Sequence, residues 1–292
     1  MLSVLIPTYH YNTLFLVEKI HEQLLLENIV FEVICFDDGS KSELNTENEK
    51  INTLIFGSFN SLENNIGRSA IRNLLAEKAQ YKWLLFLDAD VVPVNSIFFK
   101  KYIACFKKNK TVFCGGLLYQ NKKENLGLLR YKYGKKHEEI SVEKRKINPE
   151  KYFFSSNFLL EKKVFNSVRF EEKLIKYGRE DLLFSLGLVK KGYKIEHLEN
   201  EVYHLGIEEN KQFVAKTKKA MENLLFLVLE ELIEEEEIAI LNFTNNIEKI
   251  KMAKIAGMFY PIFEKLAVKG ASVFFLDVMK VCYLCHLKSK HA

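Results

Sequence analysis

Asp88 and Asp90 stand two residues apart at the end of the apolar run KWLLFLDADVVP, Lys82 to Pro93. A run without polar interruptions reads as a strand buried on both faces. At its end the chain turns, so both carboxylates can converge on one ligand. A hard divalent cation, Mn²⁺ or Mg²⁺, suits them, because such ions take oxygen ligands and bridge one or two carboxylates to substrate phosphates. A solvated turn is the plainer alternative. Asp37 and Asp38 in DDGSKSELN form a second acid pair. A turn explains one of them, since Asp, Gly and Ser are all turn residues; the other can accept hydrogen bonds from ribose hydroxyls or a base. Glu180 and Asp181 in YGREDLLFSLGLVKKGY form a third. At the start of an amphipathic helix they suit the macrodipole, and chemically they offer a general base for an attacking hydroxyl.

Three further groups have weaker patterns. NNIGRSAIRN holds Asn65, Gly67, Arg68 and Arg72; it reads as a helix start with surface arginines, or as a source of positive charge, through Arg72, beside a diphosphate. His204 in VYHLG is a metal-ligand candidate or a packing residue. CYLCH (Cys282 to His286) lacks a second spaced pair of zinc ligands, having only the distant His291, so it reads as a helical cysteine pair with one buried face.

The elements that must position these groups alternate. LSVLIPTY (Leu2 to Tyr9), FEVICFDD (Phe31 to Asp38), INTLIFGS and KWLLFLDAD read as strands. Thr13 to Glu27, with Asn12 as N-cap and Leu14, Val17, Ile20 and Leu24 on one face, and IGRSAIRNLLAEKAQ read as helices. The rhythm implies an α/β fold with a mostly parallel sheet flanked by helices. Ligands of such sheets bind beyond the carboxyl ends of the strands. Thr8 and Tyr9, Asp37 and Asp38, and Asp88 and Asp90 end three of these strands and therefore fall on one edge. Shorter runs follow, VFCGGLLY, YFFSSNFLL and EVYHLG, around the helical REDLLFSLGLVKKG. Beyond residue 208 the pattern turns helical, with no proline until Pro261, and carries the acidic run EELIEEEE before a lysine-rich amphipathic stretch. Two or three helices packed on the preceding domain are expected there, giving domains 1–208 and 209–292.

At 292 residues there is ample chain for a core. The net charge is +5 with Lys and Glu interleaved, so no nucleic-acid partner is expected. Cys35, Cys105, Cys114, Cys282 and Cys285 are too scattered for a disulfide framework. With no charged leader before LSVLIPTY and no run of about 20 apolar residues, a reducing, cytoplasmic location is expected. Lysines from Lys249 to Lys269 alternate with apolar residues from Met252 to Phe263. That composition suits peripheral contact with an anionic membrane face, or equally a homodimer interface.

Taken in order, VLIPTY, DDGS, NNIGRSAIRN, FLDADVVP and GRED resemble glycosyltransferase family 2, over roughly Leu2 to His204. The resemblance implies a GT-A nucleotide-binding fold with a C-terminal helical extension. It also implies an inverting, metal-dependent transfer of a sugar from a nucleotide-sugar donor, by the family's majority a UDP-sugar, to a glycan or lipid-linked acceptor. By that resemblance Thr8, Tyr9, Asp38 and Arg72 belong to the donor pocket. Asp88 and Asp90 match the DxD motif, with Asp90 on Mn²⁺ or Mg²⁺ and Asp88 on ribose or metal. His204 matches a further metal ligand, Asp181 the catalytic base, and Glu180 its neighbour. Arg179 replaces the small or aromatic residue common before the acid pair, and QxxRW is absent, which points to a non-processive enzyme. A nucleotidyltransferase is disfavoured because IPTYHYN has no glycine and no Lys or Arg to hold a triphosphate. The non-enzyme alternative is an inactive scaffold subunit of the same fold.

Overall fold

The computed structural model describes residues 1–235 and 238–291. Glu236 and Glu237 of the acidic run, and the side chain of His291, lie outside the described residues. Ten strands are present among these: β1 Leu2–Thr8, β2 Phe31–Asp37, β3 Gly57–Ser61, β4 Trp83–Leu87, β5 Val91–Pro93, β6 Thr111–Cys114, β7 Leu117–Leu118, β8 Asn157–Glu161, β9 Lys194–His197 and β10 Val202–His204. Seven form one sheet in the order β3-β2-β1-β4-β8-β6-β9. β3, β2, β1 and β4 run parallel, and β8 runs antiparallel to both β4 and β6.

The central strands alternate between two apolar layers, as a period of two requires when both faces are covered. Leu85 and Leu87 of β4 join Val4, Ile6, Val33 and Cys35 against Leu16, Val17, Ile20 and Leu24 of the helix Leu14–Leu26. Leu84 and Phe86 face the other way, with Leu5, Ile34 and Phe36, onto Ile71 and Leu75 of the helix Arg68–Lys78 and Phe184 and Leu188 of the helix Glu180–Lys190. Phe86 stacks on Phe158 at 4.8 Å, and Phe170 stacks on Phe184 at 4.3 Å. This aromatic layer fixes the Glu180 helix against the central strand.

INTLIFGS differs from expectation. Glu49–Thr53 is a 3₁₀ turn and the strand begins only at Gly57. Local polar groups favour the turn: Thr53 Oγ1 donates to the Lys50 carbonyl at 2.7 Å, and Asn52 Oδ1 accepts from the Phe59 N–H at 2.8 Å, while Ile51 is buried in the core layer beneath the first helix. Asn12 does not cap its helix from the N-cap position, which Thr13 occupies; its Oδ1 accepts from the Leu14 N–H at 3.0 Å. VFCGGLLY splits into β6 and β7, which lie in different sheets.

β5, β10 and β7 form a small second sheet, with β10 antiparallel to β5 and His204 opposite Val91. All ten strands belong to one compact unit, Met1–Gln120, Glu138–Ile175 and Glu180–Gly206.

The other unit comprises Asn121–His137, Lys176–Arg179 and Ile207–Ala292. Beyond residue 207 its described residues form five helices rather than two or three: Asn210–Leu229, Ala239–Lys249, Ala253–Met258, Tyr260–Gly270 and Val273–His291. The breaks come from left-handed backbone at Glu231, Lys251 and Ala271 and from Pro261 in the first turn of its helix. Cys282 and Cys285 lie on the last helix with both thiols buried. No described helix is long and apolar enough to cross a membrane.

Candidate active site

The strand ends Thr8 and Asp37 are register partners, and β4 ends one strand away on the other side of β1. This is the switch point of the sheet, where β1 is flanked by β2 and β4 and the connections diverge. Each acid pair identified in the sequence is found here with distinct surroundings.

At the β2 tip both acids are occupied. Asp37 Oδ2 accepts from the Ser40 N–H (2.9 Å), Asn45 Nδ2 (3.0 Å) and Ser61 Oγ (2.9 Å). Asp38 accepts from the Ile66 N–H at 2.7 Å and the Gly67 N–H at 3.0 Å, and its own N–H donates to the Thr8 carbonyl at 2.9 Å. Gly67 adopts φ +93°, a conformation open to glycine, and so turns its N–H toward Asp38 at the head of the Arg68–Lys78 helix. Burial pushes the Asp38 carboxyl up and the nearby Asp37 adds to this, so that the two N–H donors only partly offset them. Thr8 is buried, with its hydroxyl donating to the Tyr11 carbonyl at 3.3 Å. Tyr9 is exposed, its ring edge-on to His10 at 4.5 Å.

At the β4 tip the two acids separate. Arg72, fully buried, donates from Nη2 to Asp88 Oδ1 at 2.6 Å. Arg68 Nη2 lies 3.9 Å from Asp88 Oδ2, while its Nε donates to Glu180 Oε1 at 2.8 Å. Burial would push the Asp88 carboxyl up, but Arg72 and Arg68 outweigh it, with a smaller contribution from His204, and hold it below its ordinary value. Asp90 has different neighbours. Its carbonyl accepts from the Leu205 N–H at 2.7 Å, and its Oδ2 lies 3.7 Å from His204 Nε2. His204 Nδ1 is buried and has no hydrogen-bond partner, and the ring stacks on Tyr119 at 5.5 Å. A Cβ on Gly206 would lie 2.0 Å from Asp90 Oδ2, so the absence of a side chain there makes room for the carboxylate. The Tyr11 phenol is pushed up by burial and by the charge of Asp90.

Glu180 and Asp181 open the helix Glu180–Lys190. Glu180 is buried and tied to Arg68; Asp181, half-buried, accepts from the Leu182 N–H through Oδ1 at 2.8 Å.

A family model, glycosyl transferase family 2, matches residues 3–169. The chain belongs to that family. No curated protein matches the sequence. Among solved structures, S. aureus TarS 1-349 in complex with UDP matches with 18% identity and TM-score 0.51, over 100% of this chain and 92% of that one. The mannosyltransferase PcManGT from Pyrobaculum calidifontis, in complex with GDP-Man and Mn2+, matches with 11% identity and TM-score 0.60, over 99% of this chain and 86% of that one. A longer S. aureus TarS chain matches at TM-score 0.49 and 18% identity over 77% of this chain, which spans 39% of its length. At such identities the likeness shows the fold, and the fold of this chain is GT-A.

Within this family-2 chain the donor set around Asp90 fits a divalent cation as a partial shell. Among the described residues no three His, Cys, Asp or Glu side chains gather into a complete site. Asp90 Oδ2 and His204 Nε2, 3.7 Å apart, offer two donors, and hard cations held through one or two protein groups complete their shell with substrate phosphates and water. Asp88 faces arginine instead.

Three contributors were not singled out in the sequence. Arg68 reads there as a surface arginine yet bridges toward Asp88 and Glu180. Gly206 carries a signal only in following HL at a strand end. Tyr11 carries none, because its proximity to Asp90 depends on the turn after β1.

Proposed function

We propose that this chain is an inverting, metal-dependent and non-processive glycosyltransferase, with residues 1–208 as the catalytic domain and 209–292 as a helical extension. Its donor is a nucleotide-diphosphate sugar, taken to be a UDP-sugar, and its acceptor a hydroxyl of a glycan or lipid-linked glycan. The observation that carries the reading is the division of labour at the β4 tip, where Asp88 is neutralised by Arg72 while Asp90 Oδ2 stands 3.7 Å from His204 Nε2. UDP is the nucleotide named with TarS, and GDP-Man and Mn2+ are those named with PcManGT; both belong to the donor and cation class proposed here.

In this reading Asp90 and His204 would hold Mn²⁺ or Mg²⁺. The chemistry such an ion supplies is neutralisation of charge on the departing nucleoside diphosphate. Tyr9 offers the nucleotide an exposed ring. Asp38 shapes the pocket by fixing the Ile66–Gly67 turn through both of its oxygens. Arg72 keeps Asp88 ionised and correctly placed. Asp181 takes the proton from the acceptor hydroxyl as that oxygen bonds the anomeric carbon. The bond from that carbon to the diphosphate oxygen breaks with its electron pair, and attack from the opposite face inverts the configuration. Glu180, tied to Arg68, positions the helix that carries Asp181.

The test is a thermal-shift panel of UDP, GDP, CDP and ADP, with and without Mn²⁺, on the wild type and on Asp181→Asn. A nucleotide at about 100 times its dissociation constant stabilises by about 2.7 kcal/mol. The expected result is a Mn²⁺-dependent shift with UDP, retained in Asp181→Asn, while transfer falls by about 10²–10⁴. No shift with any nucleotide in folded protein overturns the reading in favour of an inactive scaffold.

A further inference from the structure

The helices Ala253–Met258 and Tyr260–Gly270 have one face turned inward and the other to solvent. Inward, Phe263 stacks on Phe275 at 6.3 Å, Tyr260 meets Tyr283 edge-on at 5.0 Å, and a Cβ on Gly257 would lie 2.9 Å from the His286 backbone. These contacts to the helix Val273–His291 fix the rotation of both segments. Phe263, which composition alone groups with the outward residues, therefore belongs to the packed face.

The opposite face is left with Met258, Ile262 and Leu266 exposed at spacings of four, and beside them the exposed Lys254, Lys265 and Lys269. Residues three and four apart on a helix are neighbours, so Ile262 and Leu266 adjoin Lys265 and Lys269 on Tyr260–Gly270, and Met258 adjoins Lys254 on Ala253–Met258. From Lys249 to Gly270 the sequence contains one acid, Glu264, and it is paired with Lys218 at 2.9 Å. None of Lys254, Lys265 and Lys269 pairs with an acid among the described residues. Monomeric proteins rarely expose contiguous apolar surface of this kind without a partner.

We infer that this face docks on an anionic lipid bilayer, with Met258, Ile262 and Leu266 entering the interface and the lysines reaching the headgroups. Charge complementarity selects that occupant. A twofold contact between two copies would set the same patch against itself, bringing lysines against lysines with no acid to separate them. Acidic headgroups supply the missing charge, and long lysine stems let the ammonium groups stay in water while the apolar row is buried. The inference does not depend on the sugar-transfer reading, because its readout is binding alone.

The experiment is flotation of the full chain with vesicles of phosphatidylcholine alone or with a third phosphatidylglycerol, at low and high salt. The expected result is co-flotation with the anionic vesicles and weak binding to the neutral ones. Each lysine contributes about fivefold near an anionic surface, so Lys254→Gln/Lys265→Gln/Lys269→Gln lowers partitioning by about 100-fold. Met258→Ser/Ile262→Ser lowers it by at least about tenfold and removes the salt-resistant part. All five positions are exposed, and far-UV circular dichroism of the variants checks their folding. Absence of wild-type flotation overturns the inference, as does flotation unchanged in the lysine variant. A dimer in sedimentation equilibrium that Ile262→Ser dissociates, without vesicle binding, assigns the face to a second copy instead.

Discussion

The tips of β2 and β4 both end in paired acids at one edge of the sheet, yet they solve different problems. At β2 the two carboxylates take five donors between them, all from the chain itself. Asp37 and Asp38 stand side by side because one ties the Ser40 turn and the other ties the Gly67 turn. At β4 only Asp88 is matched in that way, by Arg72; Asp90 lies beside the imidazole of His204. The β2 acids are held through Asp37 Oδ2 and both oxygens of Asp38, with Asp37 Oδ1 buried and unpartnered, and build the wall of a site; Asp90, half-buried, is the acid within reach of a ligand.

The contrast can be broken by substitution. Asp37→Ala takes the acceptor from three groups at once, two of them in or beside a buried turn. A loss of about 3 kcal/mol in urea unfolding is expected, with nucleotide affinity per folded molecule little changed. A large affinity loss without destabilisation would make the β2 tip a ligand site in its own right. Gly206→Ala acts at the other tip. Its Cβ would come 2.0 Å from Asp90 Oδ2, so the carboxylate must move. The expected outcome is a roughly 10- to 100-fold loss in Mn²⁺-dependent nucleotide affinity, comparable to disturbing the support of a metal ligand, with the unfolding midpoint nearly constant. Unchanged affinity would remove Asp90 from the cation site.

The smallest effect is in pH dependence. Asp88 has a folded-state carboxyl held below its unfolded value, so its contribution to stability is complete above the ordinary aspartate range and disappears as pH falls through the folded value. The stability gap between wild type and Asp88→Asn should therefore be constant near neutrality and close below about pH 4. Asp38, whose carboxyl is raised, has the opposite sign: its ionisation is penalised in the folded state, and lowering pH through the raised value relieves that penalty. An Asp88→Asn gap that persists into acid would show that the Arg72 contact is not the origin of its effect.

Much of the sheet was legible because burial on both faces leaves an uninterrupted apolar signal. The sequence reading places both ends of β1 and β2 and the start of β4 to within a residue, while β4 stops at Leu87, three residues short of the expected Asp90, where the chain turns. The INTLIFGS segment misled because its apolar residues include Ile51, a core residue on a turn stabilised by Asn and Thr side chains. The tail misled in the same way, since Lys251 and Ala271 end helices in left-handed backbone without a glycine or proline at the position itself.

The sequence by itself determined the alternating strands and helices, the acids at three strand ends and the order of motifs that marks the family. Those signals are local: they depend on period, on residue type and on spacing over a few residues. Only the tertiary structure decided what each acid faces: Asp37 and Asp38 tie turns, Asp88 meets Arg72, and Asp90 lies beside His204. Pairing of β10 with β5 sets His204 beside Asp90, the turn at Gly67 closes on Asp38, and the Arg68–Lys78 helix delivers Arg72 to Asp88 and Arg68 to Glu180. Each of these contacts joins residues far apart in the chain, and the electrostatic character of a carboxylate depends on what lies within a few ångströms of it.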